Sequence, residues 1–138
     1  MADLDKLART IVEQVIGQGK VELIDDLVND DFIEHEGPPD VPQGKAALHG
    51  FVEMFRGAFP DLTTKVVATA VSGDEVWIQS TATGTHKGDF NGIPPTGKKI
   101  EIALFDRVRT SDGKAAEHWG LSDNLTLMIQ LGVVPEPG

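Results

Sequence analysis

The sequence predicts an α+β domain in which three N-terminal helices and a short C-terminal helix pack on one face of a curved antiparallel sheet. Three observations carry this reading. Apolar residues recur at helical spacing as far as Ala58, the spacing changes to two from Thr63 onward, and short Ser/Asp/Gly turns separate the alternating runs. A length of 138 residues suits a single domain spanning 1–138, and 40% hydrophobic with 25% charged residues is the balance of a chain that closes its own core.

Each element has its own signal. Leu4, Leu7, Ala8, Ile11, Val15 and Ile16 form one face of a first helix, which Gly17 and Gly19 stop. Val21, Ile24, Leu27 and Val28 give a second, short helix its buried stripe, and Asp31–His35 reads as a brief strand. The run GPPDVPQG, Gly37 to Gly44, is a loop, because three prolines and two glycines suit neither helix nor strand. A third helix is expected over about 44–58, with Ala47, Phe51, Met54, Phe55 and Ala58 toward the core. Alternation then predicts strands over Thr63–Val71, Glu75–Thr85, about 98–110 and 114–121. Leu121–Leu131 is expected to close the chain as a helix, capped by Ser122 or Asp123 and ended by Gly132, with Leu125, Met128 and Ile129 inward.

Composition excludes several classes of function. Against 12 Lys and Arg stand 22 Asp and Glu, a net charge of −10 that repels phosphate backbones and anionic lipid surfaces. No nucleic acid and no membrane partner is expected. With no cysteine there is no disulfide, thiolate nucleophile or Cys-ligated metal. Residues 1–20 are charged throughout and carry no signal-peptide pattern, so the cytoplasm is the expected compartment. The loop Gly92–Lys98 satisfies GxxxxGK, but position 99 is Lys and Pro94 and Pro95 lack the N–H groups a phosphate needs.

One strand carries a chemical anomaly. In IEIALFDRVRT, one face reads Ile100, Ile102, Leu104, Asp106, Val108. A lone carboxylate on an apolar face must be paired, protonated or set at a cavity. Asp106 is therefore either an acid–base group or half of a structural ion pair. The next strand supplies His118, whose place depends on the turn. A two-residue loop at Asp112-Gly113 sets Arg107 opposite His118, whereas a three-residue loop, Ser111-Asp112-Gly113, sets Asp106 opposite it. The three-residue form is expected, since Thr110–Gly113 suits a type I turn ending in Gly. His118 then serves either as the base that Asp106 orients or as a core histidine bonded to backbone. His35, His49, His86 and His118 show no compact ligand spacing, so no metal is expected.

With AFPDL (58–62), GTHKGDFNGIPPTGK (84–98), DGKAAEHWGLSD (112–123), LMIQLG (127–132) and the early FIEHEG, the chain resembles the SnoaL-like polyketide cyclase family of the nuclear-transport-factor-two-like superfamily. The resemblance implies a cone-shaped sheet wrapped by helices around a deep apolar pocket. It also implies a homodimer through the outer sheet face, a hydrophobic small-molecule ligand and no cofactor. The family's cyclases close rings by aldol chemistry, an acidic side chain removing a proton alpha to a carbonyl. Mapped by motif, Asp106 and His118 become the catalytic pair; His35, Phe51, Phe55, His86, Leu104 and Trp119 are the expected substrate-binding wall. The cyclases' principal Asp lies two residues beyond the histidine, where this chain has Gly120, so Asp106 is expected to take over its role. Isomerase and epoxide hydrolase chemistry, known in the same superfamily, and a non-catalytic binding module are the alternatives.

Overall fold

The computed structural model describes residues 3–37 and 39–135; Pro38, one of the three loop prolines, lies outside the described residues. Helix α1 (Leu4–Arg9) begins at Asp3, whose carboxylate accepts the Lys6 N–H, and runs on into a π-helical stretch, Thr10–Ile16. A 3-10 turn (Val21–Leu23) leads to α2 (Ile24–Leu27), strand β1 (Val28–Glu34) and the long helix α3 (Lys45–Ala58). Strands β2 (Thr63–Ser72), β3 (Glu75–Thr85), β4 (Lys99–Ser111) and β5 (Lys114–Ser122) follow, and α4 (Asn124–Leu131) closes the order. Among the described residues no helix is long and apolar enough to cross a membrane.

The five strands form one curved, open sheet in the order β1-β5-β4-β3-β2. It is antiparallel apart from the β1–β5 pair, which is parallel. That pairing corrects two expectations. Val28 opens β1 opposite Ala115 rather than ending the second helix, and the sheet is not antiparallel throughout. Two apolar clusters lie between the sheet's inner face and the helices, one around Val15, Ile24 and Val76, the other around Phe59, Ile102 and Leu127. Leu125, expected inward, is 60% exposed, and Leu127 takes the buried phase of its helix instead; Met54 is 37% exposed but borders the space between helices and sheet, and Val52 joins the buried face of α3.

Side chains of neighbouring elements bond to backbone carbonyls of the π-helical stretch and of the loops around it. The Thr64 hydroxyl donates to the Val12 carbonyl. Arg56 on α3 donates to the carbonyls of Ile16, Gly17 and Leu62 at 3.3, 2.9 and 3.1 Å, and to that of Pro60 at 3.3 Å. One guanidinium thus fastens the end of the first helix to the end of α3 and the start of β2. Arg56→Met keeps the apolar stem and removes the donors. It is expected to cost about 2 kcal/mol in urea unfolding, with the slope unchanged.

Candidate active site

The hairpin between β4 and β5 decides where His118 points. Its turn is the two-residue Asp112-Gly113, with φ of 54° and 77°, and not the expected three-residue loop. Ser111 pairs Lys114 and Thr110 pairs Ala115, but Arg109 pairs Glu117, so β5 carries one extra residue at Ala116. This bulge turns His118 to the inner face, which an unbulged two-residue hairpin would have denied it. His118 stands opposite Val108, and Asp106 opposite Gly120. Because Gly120 has no side chain, the His118 ring leans diagonally across it and donates from Nε2 to Asp106 Oδ1 at 2.7 Å.

Strand β1 completes the arrangement. Glu34 pairs His118 in the parallel ladder and shares its face, and its Oε1 lies 2.6 Å from His118 Nδ1. Two residues past the end of β1, Glu36 turns to the same side, where it lines the cavity and its Oε2 accepts the Ser122 hydroxyl at 3.3 Å. The Glu36 N–H donates to Glu34 at 2.9 Å, and Gln43 brackets Glu34 by donating to its carbonyl and accepting its N–H. The result is a row of carboxylate, imidazole and carboxylate, with a third carboxylate alongside.

These groups stand in a largely apolar cavity of about 520 Å³ between helices and sheet. Phe51 and Phe55 of α3 and Leu104 of β4 line it, with Ile11 and Ile78 among the apolar walls. Three other expected wall residues lie elsewhere. His35 and Trp119 point to the outer sheet face, their rings stacked 4.9 Å apart, because odd and even positions of β1 and β5 face opposite ways. His86 is fully buried beside Phe59, and its Nδ1 accepts the Thr96 N–H at 3.2 Å, which ties down the loop containing Pro94 and Pro95. The structure adds Glu34 and Glu36 to the site. Phe32, Glu34 and Glu36 share one strand face in the sequence, the signal by which both were legible.

Burial alone would push the His118 ring toward neutrality. Its hydrogen bonds to Asp106 and Glu34, and the charges of both, outweigh that and raise its pKa to about 10. At neutral pH His118 is an imidazolium and not a free base. Burial raises the Glu36 carboxyl above the ordinary glutamate range; His118 opposes this, and the charges of Asp106 and Glu34 add to it. Glu36, Asp106 and His118 offer ligand atoms within 4.8 Å of one another, the spacing of a metal site. Both His118 nitrogens are already engaged with carboxylates, so a metal there would have to break the bond to Asp106. A histidine whose folded pKa exceeds its unfolded value stabilises the fold fully below about pH 6.5 and loses that contribution as pH rises through about 10. Thermal stability is therefore expected to fall steadily across that window, read as a declining melting temperature. His118→Gln should flatten the decline and cost about 3–5 kcal/mol at neutral pH, since it leaves two buried carboxylates unpaired.

Comparison with known proteins agrees with this architecture. TsrD from Streptomyces laurentii shares the fold with a TM-score of 0.87 at 24% identity, over 95% of this chain and 96% of that one. IdmH, a candidate polyketide cyclase from Streptomyces antibioticus, is 31% identical over 94% of this chain and 97% of its own, with a TM-score of 0.78. A candidate polyketide cyclase from Bacillus cereus ATCC 10987 is 35% identical over 87% of this chain and 74% of its own, with a TM-score of 0.75. Among curated proteins none matches. The sequence pattern described as SnoaL-like polyketide cyclase matches residues 6–131, and the chain belongs to that family.

Proposed function

We propose that the protein is a cofactor-independent acid–base enzyme that removes and returns a proton on an uncharged, hydrophobic small molecule, as a cyclase acting on a polyketide-derived ketone or ester would. The observation that carries this reading is the carboxylate–imidazolium–carboxylate row set in a largely apolar cavity. Low polarity strengthens each charge interaction within it. The His118 charge would stabilise negative charge developing on an enolate oxygen, and the acidic side chains supply the proton acceptor. One observation favours a binding module instead: both His118 nitrogens are occupied, so no ring N–H is free for a substrate. Acceleration of hydrogen–deuterium exchange at the α-carbon of 1-tetralone in D2O, followed by mass spectrometry, is the expected result for the enzyme. Exchange no faster than in buffer returns the cavity to the binding reading.

A second part of the proposal is a homodimer through the outer sheet face. Trp77, Phe105 and Leu121 are 49%, 56% and 78% exposed there, an apolar row on strands that also carry Arg107 and Arg109. Sedimentation equilibrium at micromolar concentration should give twice the chain mass, and Phe105→Glu should return the monomer. A wild-type monomer under those conditions removes this part of the reading.

A further inference from the structure

The three carboxylates in the cavity are not equivalent. Glu34 accepts from His118 at 2.6 Å and from the Glu36 N–H at 2.9 Å, and Asp106 accepts from His118 at 2.7 Å. Among the described residues Glu36 has one side-chain partner, the Ser122 hydroxyl, at 3.3 Å. Glu34 and Asp106 are thus each committed to a short charge-assisted bond to the imidazolium. A carboxylate with a single long neutral bond gives up little when it takes a proton.

Glu36 also occupies a defined space. A Cβ added at Gly120 would lie 2.6 Å from Glu36 Oε1, 2.7 Å from Asp106 Oδ1 and 2.8 Å from His118 Cε1. A side chain at position 120 and the Glu36 carboxylate therefore exclude each other. Asp106 and His118 hold one another in place, whereas Glu36 is the free end of a flexible side chain and is the group that would yield.

We propose that Glu36 is the catalytic acid–base residue of this site, seated in the space that Gly120 leaves open, with Asp106, His118 and Glu34 as positioning residues that fix the charge around it. The proposal rests on the proton-transfer reading above. In the step, a C–H bond beside a ketone carbonyl breaks, its electron pair moves onto the carbonyl to give an enolate, and the proton passes to a Glu36 oxygen. Reversal returns a solvent-exchanged proton to carbon, so nothing is oxidised or reduced and no group leaves. The raised Glu36 carboxyl agrees with this role, because a base near neutrality needs a pKa above that of an ordinary carboxylate.

The test is 1-tetralone exchange in D2O with the intact chain and its variants. Glu36→Gln should lower the protein-catalysed rate by roughly two to four orders of magnitude. Gly120→Ala keeps the carboxylate but displaces it, and should lower the rate in the same way, with the His118 imidazolium resonances still showing a folded site. The double variant should be no slower than Glu36→Gln alone. Asp106→Asn should retain measurable exchange and move the base limb of the pH–rate profile to lower pH, because the Asp106 charge helps to raise the Glu36 carboxyl. A Glu36→Gln rate within threefold of wild type, with exchange lost in Asp106→Asn, overturns the proposal and leaves the proton-transfer reading standing. Loss in Glu36→Gln but not in Gly120→Ala overturns the role given to Gly120. No exchange by the wild type overturns the proton-transfer reading and this assignment with it.

Discussion

A protonated imidazole inside an apolar cavity has to be paired, and His118 is paired only because three strands arrive in one register. Its Nδ1 meets Glu34 of β1 and its Nε2 meets Asp106 of β4, while the ring itself belongs to β5. Moving any of these strands by one residue would send a side chain to the other face and leave a buried charge alone, at a cost of several kcal/mol. The bulge at Ala116 and the parallel β1–β5 ladder meet the same requirement. The row thus couples edge strand to central strand, and the register of three strands depends on it.

The fold was legible because its signals are long and periodic. Eleven-residue β3 and thirteen-residue β4 show alternation that no short-range feature interrupts, and α3 shows a clear apolar face. Asp106 was legible for the same reason, as the one charge on an apolar strand face. The position of His118 was not. It rests on one extra residue in β5, and the choice between a two- and a three-residue turn at Asp112-Gly113 leaves little trace in the residues themselves. For Glu34 and Glu36 the alternation with Phe32 is a faint mark, because β1 is short and pairs in parallel across a long separation in sequence. The same short strand explains why His35 was expected on the wrong face.

Gly120 illustrates how absence can shape a site. The family acid is expected two residues beyond the histidine, and this chain has no side chain there. Read from the sequence, that is a deletion of chemistry. In the folded chain the vacated space holds carboxylate oxygens of Glu36 and Asp106 and the edge of the His118 ring. The cavity carries its acidic groups on β4, on β1 and just beyond the end of β1 rather than at position 120. Function in such a fold follows the place a group occupies more closely than the residue number that supplies it.

The outer face of the sheet has a consequence for optical measurement. The chain has two tryptophans and no tyrosine, and both indoles lie on that face, with the Arg107 guanidinium 5.3 Å from the Trp77 ring and 4.1 Å from that of Trp119. Neither indole lines the inner cavity. Intrinsic emission therefore reports on solvent access at the exterior of the sheet and on whatever covers it. Filling of the interior passes unseen unless the guest itself absorbs or emits.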